Sequence, residues 1–488
     1  MSAIARLLKH TFVYGLATIL PRLLTVLLTP LLTGYLPAVD FGEVSLVFTW
    51  IILANVLLTY GMETAFFRFY NEKDQQEKAL STSLWSLTIT TVTFAIIAFL
   101  CLEQIESFTQ ISAMYWRWVI GIVAFDTLMV IPFAFMRAQA KSTRYAIIKL
   151  INVVISTGTS VLFFVWLQDL PLINQYLPSD KKELFFIAFF AASVITFLVV
   201  ARPYFNRIVF SAKLYKRMLR YGLPVLVAGI AFAINETFDK LLLQYLLPES
   251  TAKAQVGIYT ACYRLAIGMT LYATAFKLGI EPFFFSQAKH KNAEKQYAQI
   301  TKFFVIFGAL ALMSYMILID VIKGILIPNP AYWEAIKITP IVLYAFFFFG
   351  IYQTLSVWYK VTDKTKYGAY ISIIGAVLTL LINIIGIPLF GYVASATATC
   401  VAYGAMLVIS YILSRKHMLI PYDVKGILLY LTLGIGFSAV FFYLLRENLA
   451  IGSLSLYLAG IALLSVLIAI IVIREGRTLR KLMTFRKK

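Results

Sequence analysis

Charge is scarce in this chain, and acidic charge scarcest. Only 14% of its 488 residues are charged, with 23 Asp and Glu against 43 Lys and Arg. A soluble domain averages about 25% charged residues. With 61% of the residues hydrophobic, lipid has to be the solvent for most of the chain. Cysteine and histidine are scarcer still, at three each. Cys101, Cys262 and Cys400 stand singly in or at the edge of apolar stretches, as small core residues do, which excludes a disulfide framework. His10, His290 and His417 sit apart at stretch boundaries, so no His/Cys metal cluster is expected. No G-x-x-x-x-G-K-[ST], G-x-S-x-G or H-E-x-x-H motif occurs, and the chain is not expected to be an enzyme or to hydrolyse ATP. The net charge of +20 suggests nucleic acid only in a soluble protein; here it is the signature of basic loops beside anionic membrane lipid.

What is present is a long series of apolar stretches. Fourteen of them are long enough to span a bilayer, near 10–34, 42–67, 81–102, 116–137, 145–167, 184–202, 219–247, 255–288, 302–320, 336–359, 367–387, 391–414, 426–445 and 453–473. The first is too long, and too interrupted by Pro21 and Arg22, for a cleaved signal peptide. Of the 43 basic residues, 32 fall in or beside alternate gaps and seven at the other gaps. Because basic loops stay on the cytoplasmic side, both termini are expected there. No gap is long enough to house a soluble domain, and the longest outer loop is Gln168–Glu183.

An internal repeat divides the chain. Tyr14-Gly15-Leu16 returns as Tyr221-Gly222-Leu223, and Tyr35-Leu36-Pro37 loosely as Tyr245-Leu246-Leu247-Pro248. Gly61-Met62-Glu63 with Phe66-Phe67 returns as Gly279-Ile280-Glu281 with Phe283-Phe284. The expected architecture is an all-α integral membrane protein with fourteen transmembrane helices: two pseudo-symmetric six-helix lobes, 1–203 and 204–415, with two appended spans and a basic tail at 416–488. Transporters commonly hold their substrate between such repeats near the midplane.

Four basic residues lie well inside the apolar stretches: Arg22, Lys240, Arg264 and Lys277. A charge at mid-bilayer costs about 2.5–3.5 kcal/mol on insertion scales, so each is expected to face a cavity or a partner. Arg22 and Arg264 lie roughly 13–20 Å deep by helical rise, and their forked donors suit a diphosphate. The alternative is a static ion pair for each, with Asp126 of span 4 as a candidate partner. Pro21 and Pro30 bend span 1, either as a hinge or as an inert kink. Span 7 carries Glu236, Asp239 and Lys240; Glu236 and Lys240 are four apart, which predicts partial neutralisation on one helix face. Alternatively, one of these carboxylates, or Asp126, binds a coupling H⁺ or Na⁺. Lys277 and Glu281 are also four apart, as a static pair or as a cargo-loading site, and Glu63 is expected to be a structural partner on the cytoplasmic side.

The stretch Asp239-Lys240-Leu241-Leu242-Leu243-Gln244-Tyr245-Leu246-Leu247 and, after it, Val256-Gly257-Ile258-Tyr259-Thr260-Ala261-Cys262-Tyr263-Arg264-Leu265-Ala266 resembles the span 7–8 signature of oligosaccharide flippases. Gly61-Met62-Glu63-Thr64-Ala65-Phe66-Phe67-Arg68-Phe69 resembles their span 2 ending. These are the Wzx-type polysaccharide exporters of the multidrug/oligosaccharidyl-lipid/polysaccharide (MOP) superfamily. The resemblance implies two lobes alternating between inward and outward openings. It implies an undecaprenyl-diphosphate-linked oligosaccharide as cargo, moved across the bacterial inner membrane, and arginines at the places of Arg22 and Arg264 as its diphosphate ligands. A glycan polymerase and glycosyltransferases of the same pathway are the implied partners. Span 2 has no deep arginine, since Arg68 lies at its end, which argues against lipid II as cargo. A small-cation drug exporter and a membrane-embedded glycan polymerase are the competing readings; the first predicts an acidic cavity and twelve spans.

Overall fold

The computed structural model describes residues 26–72, 75–166, 178, 180–205, 209–287, 292–362 and 364–484, with the side chains of 278–279, 281–283, 285–287 and 477–484 outside the description. The described residues are helical throughout, with no strand among them. Among the described residues, twelve helices are long and apolar enough to cross a membrane. The two remaining expected spans are represented differently. The described part of the first is the helix Val26–Tyr35, and the eighth is two helices in series, Glu249–Arg264 and Ile267–Gln287. Fourteen crossings are compatible with this arrangement.

The second span is also in two pieces, Ala38–Thr59 and Met62–Tyr70. Tyr60 and Gly61 between them adopt left-handed φ values of 32° and 71°. Gly61 is needed for two reasons. Its positive φ is strained for any L side chain. In addition, a Cβ there would come 2.3 Å from the Gly222 carbonyl oxygen, where helix Ala212–Leu246 passes. Gly61→Ala is therefore expected to destabilise the fold by about 2 kcal/mol or more, read as a lower unfolding midpoint in detergent.

By packing, the chain forms two compact units. The first comprises 1–261, 329–332 and 372–395, and the second 262–328, 333–371 and 396–488. In the first, Lys181–Val200 packs against both Ala113–Ala138 and Ser142–Val161, and Ala212–Leu246 packs along Ala38–Thr59. Its core includes Met62, Phe66, Leu84, Leu87, Ile131 and Met218, all nearly inaccessible. In the second, Ala293–Ile317 packs against Val424–Ala439 and Leu454–Thr484, and Ile267–Gln287 against Thr339–Leu355.

Each unit is tied near its ends by ion-pair knots. In the first, Glu43 accepts from Lys182 at 2.6 Å and Lys253 at 2.9 Å, and Lys182 also reaches Asp40 at 2.8 Å. In the second, Asp320 holds Arg446 and Lys323, each at 2.8 Å. Burial pushes the Asp320 carboxyl up, but the hydrogen bonds and charges of Arg446 and Lys323 outweigh it and hold the group below the usual carboxylate range. Its stabilising contribution is thus complete above the unfolded value of about 3.9 and is lost as the pH falls through the lower folded value. The wild-type unfolding midpoint should therefore drop on acidification below about pH 4. Asp320→Asn should lower it at neutral pH and flatten that acid limb, as scanning fluorimetry in detergent reads it.

Candidate functional site

The eighth span breaks at the residue that sequence depth singles out. Helix Glu249–Arg264 ends on Arg264, Leu265 and Ala266 form a turn, and a new helix begins at Ile267. Neither proline nor glycine stands at 264–266; the break is held from outside. Tyr315, on helix Ala293–Ile317, donates its hydroxyl to the Leu265 carbonyl at 2.5 Å, and Thr339 donates to the Cys262 carbonyl at 3.3 Å. Gly268 leaves room for the Tyr315 ring, because a Cβ there would lie 2.2 Å from it. Sixteen helical residues precede the break and 21 follow it. At about 1.5 Å per residue, that puts Arg264 far from either end of the crossing. The residue is partly buried and sits at a helix C-terminus, whose partial negative charge favours a cation. Interrupted helices at membrane depth are tolerated where they are buried in protein or line a cavity, and in transporters they build substrate sites.

Span 7 carries a buried polar run. Asp239 and Lys240 are only 3% and 8% exposed. Glu236 stands four residues before Lys240, the spacing that predicts partial neutralisation on one helix face. A carboxylate 2.9 Å from the Lys240 ammonium is that of the adjacent Asp239, whose other oxygen accepts from Tyr259 at 2.5 Å. Both Asp239 oxygens are thus engaged. Glu236 is partly buried one turn back. Beside it, Asn235 donates to the Ser372 carbonyl at 3.0 Å and accepts from Thr379 at 3.0 Å, while Ser395 donates to Asn383 at 2.7 Å. This neutral polar chain was not singled out from sequence, although Asn235 and Asn383 inside apolar spans were the available signal.

Asp126 on helix Ala113–Ala138 accepts from Ser193 at 2.8 Å, and Lys149 interacts with it electrostatically. Lys149 also lies 4.3 Å from the Phe133 ring centre. It is the eighth residue of helix Ser142–Val161, roughly 10 Å along it. Glu63 is ion-paired with Arg137, whose guanidinium also lies 4.9 Å from the Phe67 ring centre. Lys277 lines a pocket in the second unit with Gln353, Thr354 and Lys360. The Glu281 side chain, Pro21 and Arg22 fall outside the described residues. Pro30 lies within the helical run Val26–Tyr35, which continues through it. Among the described residues no group of His, Cys, Asp and Glu is arranged to hold a metal.

Several solved structures share this fold. A lipid II flippase, MurJ, in an inward closed conformation superposes with a TM-score of 0.74 at 17% identity, covering 94% of this chain and 99% of that one. An inward-facing multidrug-resistance MATE transporter of the MOP superfamily gives 0.63 at 14% identity, covering 85% and 98%. A MOP superfamily transporter from Pyrococcus furiosus gives 0.57 at 14% identity, covering 85% and 95%. At these identities the likeness establishes the fold. No curated protein matches the chain by sequence. The sequence pattern of one family, described as polysaccharide biosynthesis protein, matches residues 7–277, from before the first span through both pieces of the broken eighth as far as Lys277. This multi-pass membrane protein, built on the MOP transporter fold, therefore belongs to the polysaccharide biosynthesis protein family.

Proposed function

We propose that the protein is a secondary transporter that flips an undecaprenyl-diphosphate-linked oligosaccharide, a repeat unit of O-antigen, capsule or exopolysaccharide, across the bacterial inner membrane by alternating access. The observation that carries this reading is Arg264 at the helix break. A forked cation deep in the crossing, at an interruption built by Tyr315, Thr339 and Gly268, suits a diphosphate moving through the membrane. Family membership supplies polysaccharide synthesis as the context, and the fold is one that transporters use. Arg22 of span 1 is proposed as the second diphosphate ligand. The face that collects the basic residues is taken as cytoplasmic, with both termini on it.

The driving force is an H⁺ or Na⁺ gradient, or consumption of the product by a downstream glycan polymerase. Of the three coupling candidates, Asp126 is the best suited. Asp239 has both oxygens engaged and reads as a structural pair, and Glu236 is only partly buried. Asp126 instead sits between a hydroxyl and an ammonium, where gain of a proton changes the local charge balance.

A strain lacking the gene tests this reading. It is expected to lose surface polysaccharide and to accumulate lipid-linked oligosaccharide on the inner leaflet, with export restored by the plasmid-borne gene. Unchanged export, together with a changed drug-resistance profile, would point to a drug exporter instead.

A further inference from the structure

Cations near the non-basic face are bound into carboxylate knots: Lys182 and Lys253 on Glu43, Lys323 and Arg446 on Asp320. On the basic face of the first unit, where Glu63 pairs with Arg137, one cluster of cations reverses the pattern. Lys213, Lys216, Arg217 and Arg220 occur at i, i+3, i+4 and i+7 of helix Ala212–Leu246, so one helix face carries all four. Arg68, near the end of helix Met62–Tyr70, joins them, and with Phe69 and Tyr221 the five cations line an open pocket of about 600 Å³. The Arg68 guanidinium lies 5.0 Å from the Tyr221 ring centre, and that of Arg217 lies 4.9 Å from the Phe69 ring centre. Among the described residues, Glu72, 3.2 Å from Arg217, is the one carboxylate in ion-pair range of the cluster.

Membrane orientation explains why basic residues lie on this face, but not why five converge on one cavity. Like charges gathered there repel unless an anion shares the space. The helix end adds to the mismatch: a first turn carries partial positive charge and favours acidic residues, yet this one has none and places Lys213 there instead. The aromatic faces hold two guanidiniums in place by cation–π contact, and the volume falls in the range of ordinary small-ligand pockets.

We propose that this pocket is a loading site for the diphosphate headgroup of the cargo at the inner leaflet, engaged before Arg264; the assignment rests on the flippase reading. Full-length protein in nanodiscs of neutral phosphatidylcholine is titrated with undecaprenyl diphosphate and, separately, with phosphatidylglycerol. Wild type is compared with Arg264→Ala, and with Arg264→Ala carrying Lys216→Gln and Arg220→Gln. Both added changes are at exposed side chains, and monodisperse elution checks folding. Diphosphate lipid is expected to bind wild type and, more weakly, Arg264→Ala. The two glutamines should then weaken that residual binding about tenfold or more, and salt should weaken it as well. If Arg264→Ala binds no diphosphate lipid while wild type does, or if the glutamines change nothing, the loading site is overturned and the flippase reading stands. Variant-sensitive binding that favours phosphatidylglycerol makes the pocket a phospholipid site and also overturns the proposal. If wild type itself does not bind diphosphate lipid, the flippase reading falls with it.

Discussion

Replacing Arg264 by alanine is expected to abolish polysaccharide export while the protein still reaches the membrane in wild-type amount. Two charge-assisted hydrogen bonds to a diphosphate are together worth about 3 kcal/mol or more, which is about a hundredfold in affinity. Arg264→Lys should recover little of this, because an ammonium is a point charge and cannot reproduce the planar fork. The competing account makes Arg264 a structural cation at the C-terminus of helix Glu249–Arg264, where the partial negative charge welcomes any positive side chain. That account predicts a lower unfolding midpoint for the alanine variant and near-full rescue by lysine. Surface-polysaccharide output and thermal unfolding, measured on the same three proteins, separate the two.

Asp239→Ala should cost far more in stability than in selectivity. It removes the carboxylate 2.9 Å from a Lys240 ammonium that is almost fully buried. It also removes the acceptor of the Tyr259 hydroxyl. Breaking a buried pair from one side typically costs about 3–5 kcal/mol, because the remaining charge is left in a low-dielectric site. The pair account therefore predicts that adding Lys240→Met to Asp239→Ala recovers most of the lost stability, a coupling that a double-mutant cycle measures directly. If Asp239 is a coupling-ion site instead, Asp239→Asn unfolds like wild type and is dead in transport.

Much of this architecture was legible in the sequence because topology is written in composition. Apolar runs of about twenty residues give crossings. The depth of Arg264 was also legible, since helical rise converts position into distance. The break beside it was not: Leu265 and Ala266 are ordinary helix formers, and the groups that hold the break open, Tyr315 and Thr339, come from other helices. Lys240 shows a different limit. The four-residue rule compares positions on a helix surface, so it could not show that the adjacent Asp239, fixed by Tyr259 from the next helix, also lies beside the Lys240 ammonium. Gly61 and Gly222 stood out as motif residues, but the close backbone approach that requires them appears only when the two helices are packed.

Movement of the cargo itself tests the central claim most directly. Purified protein is reconstituted into liposomes carrying a fluorescent undecaprenyl-diphosphate oligosaccharide in both leaflets, and a membrane-impermeant reductant is added outside. With the wild-type protein, all of the label is expected to be quenched, because inner-leaflet cargo is carried outward. With Arg264→Ala, only the outer half should be lost. Equal protection of the inner leaflet in wild-type and protein-free liposomes, or full quenching with Arg264→Ala, would contradict the account.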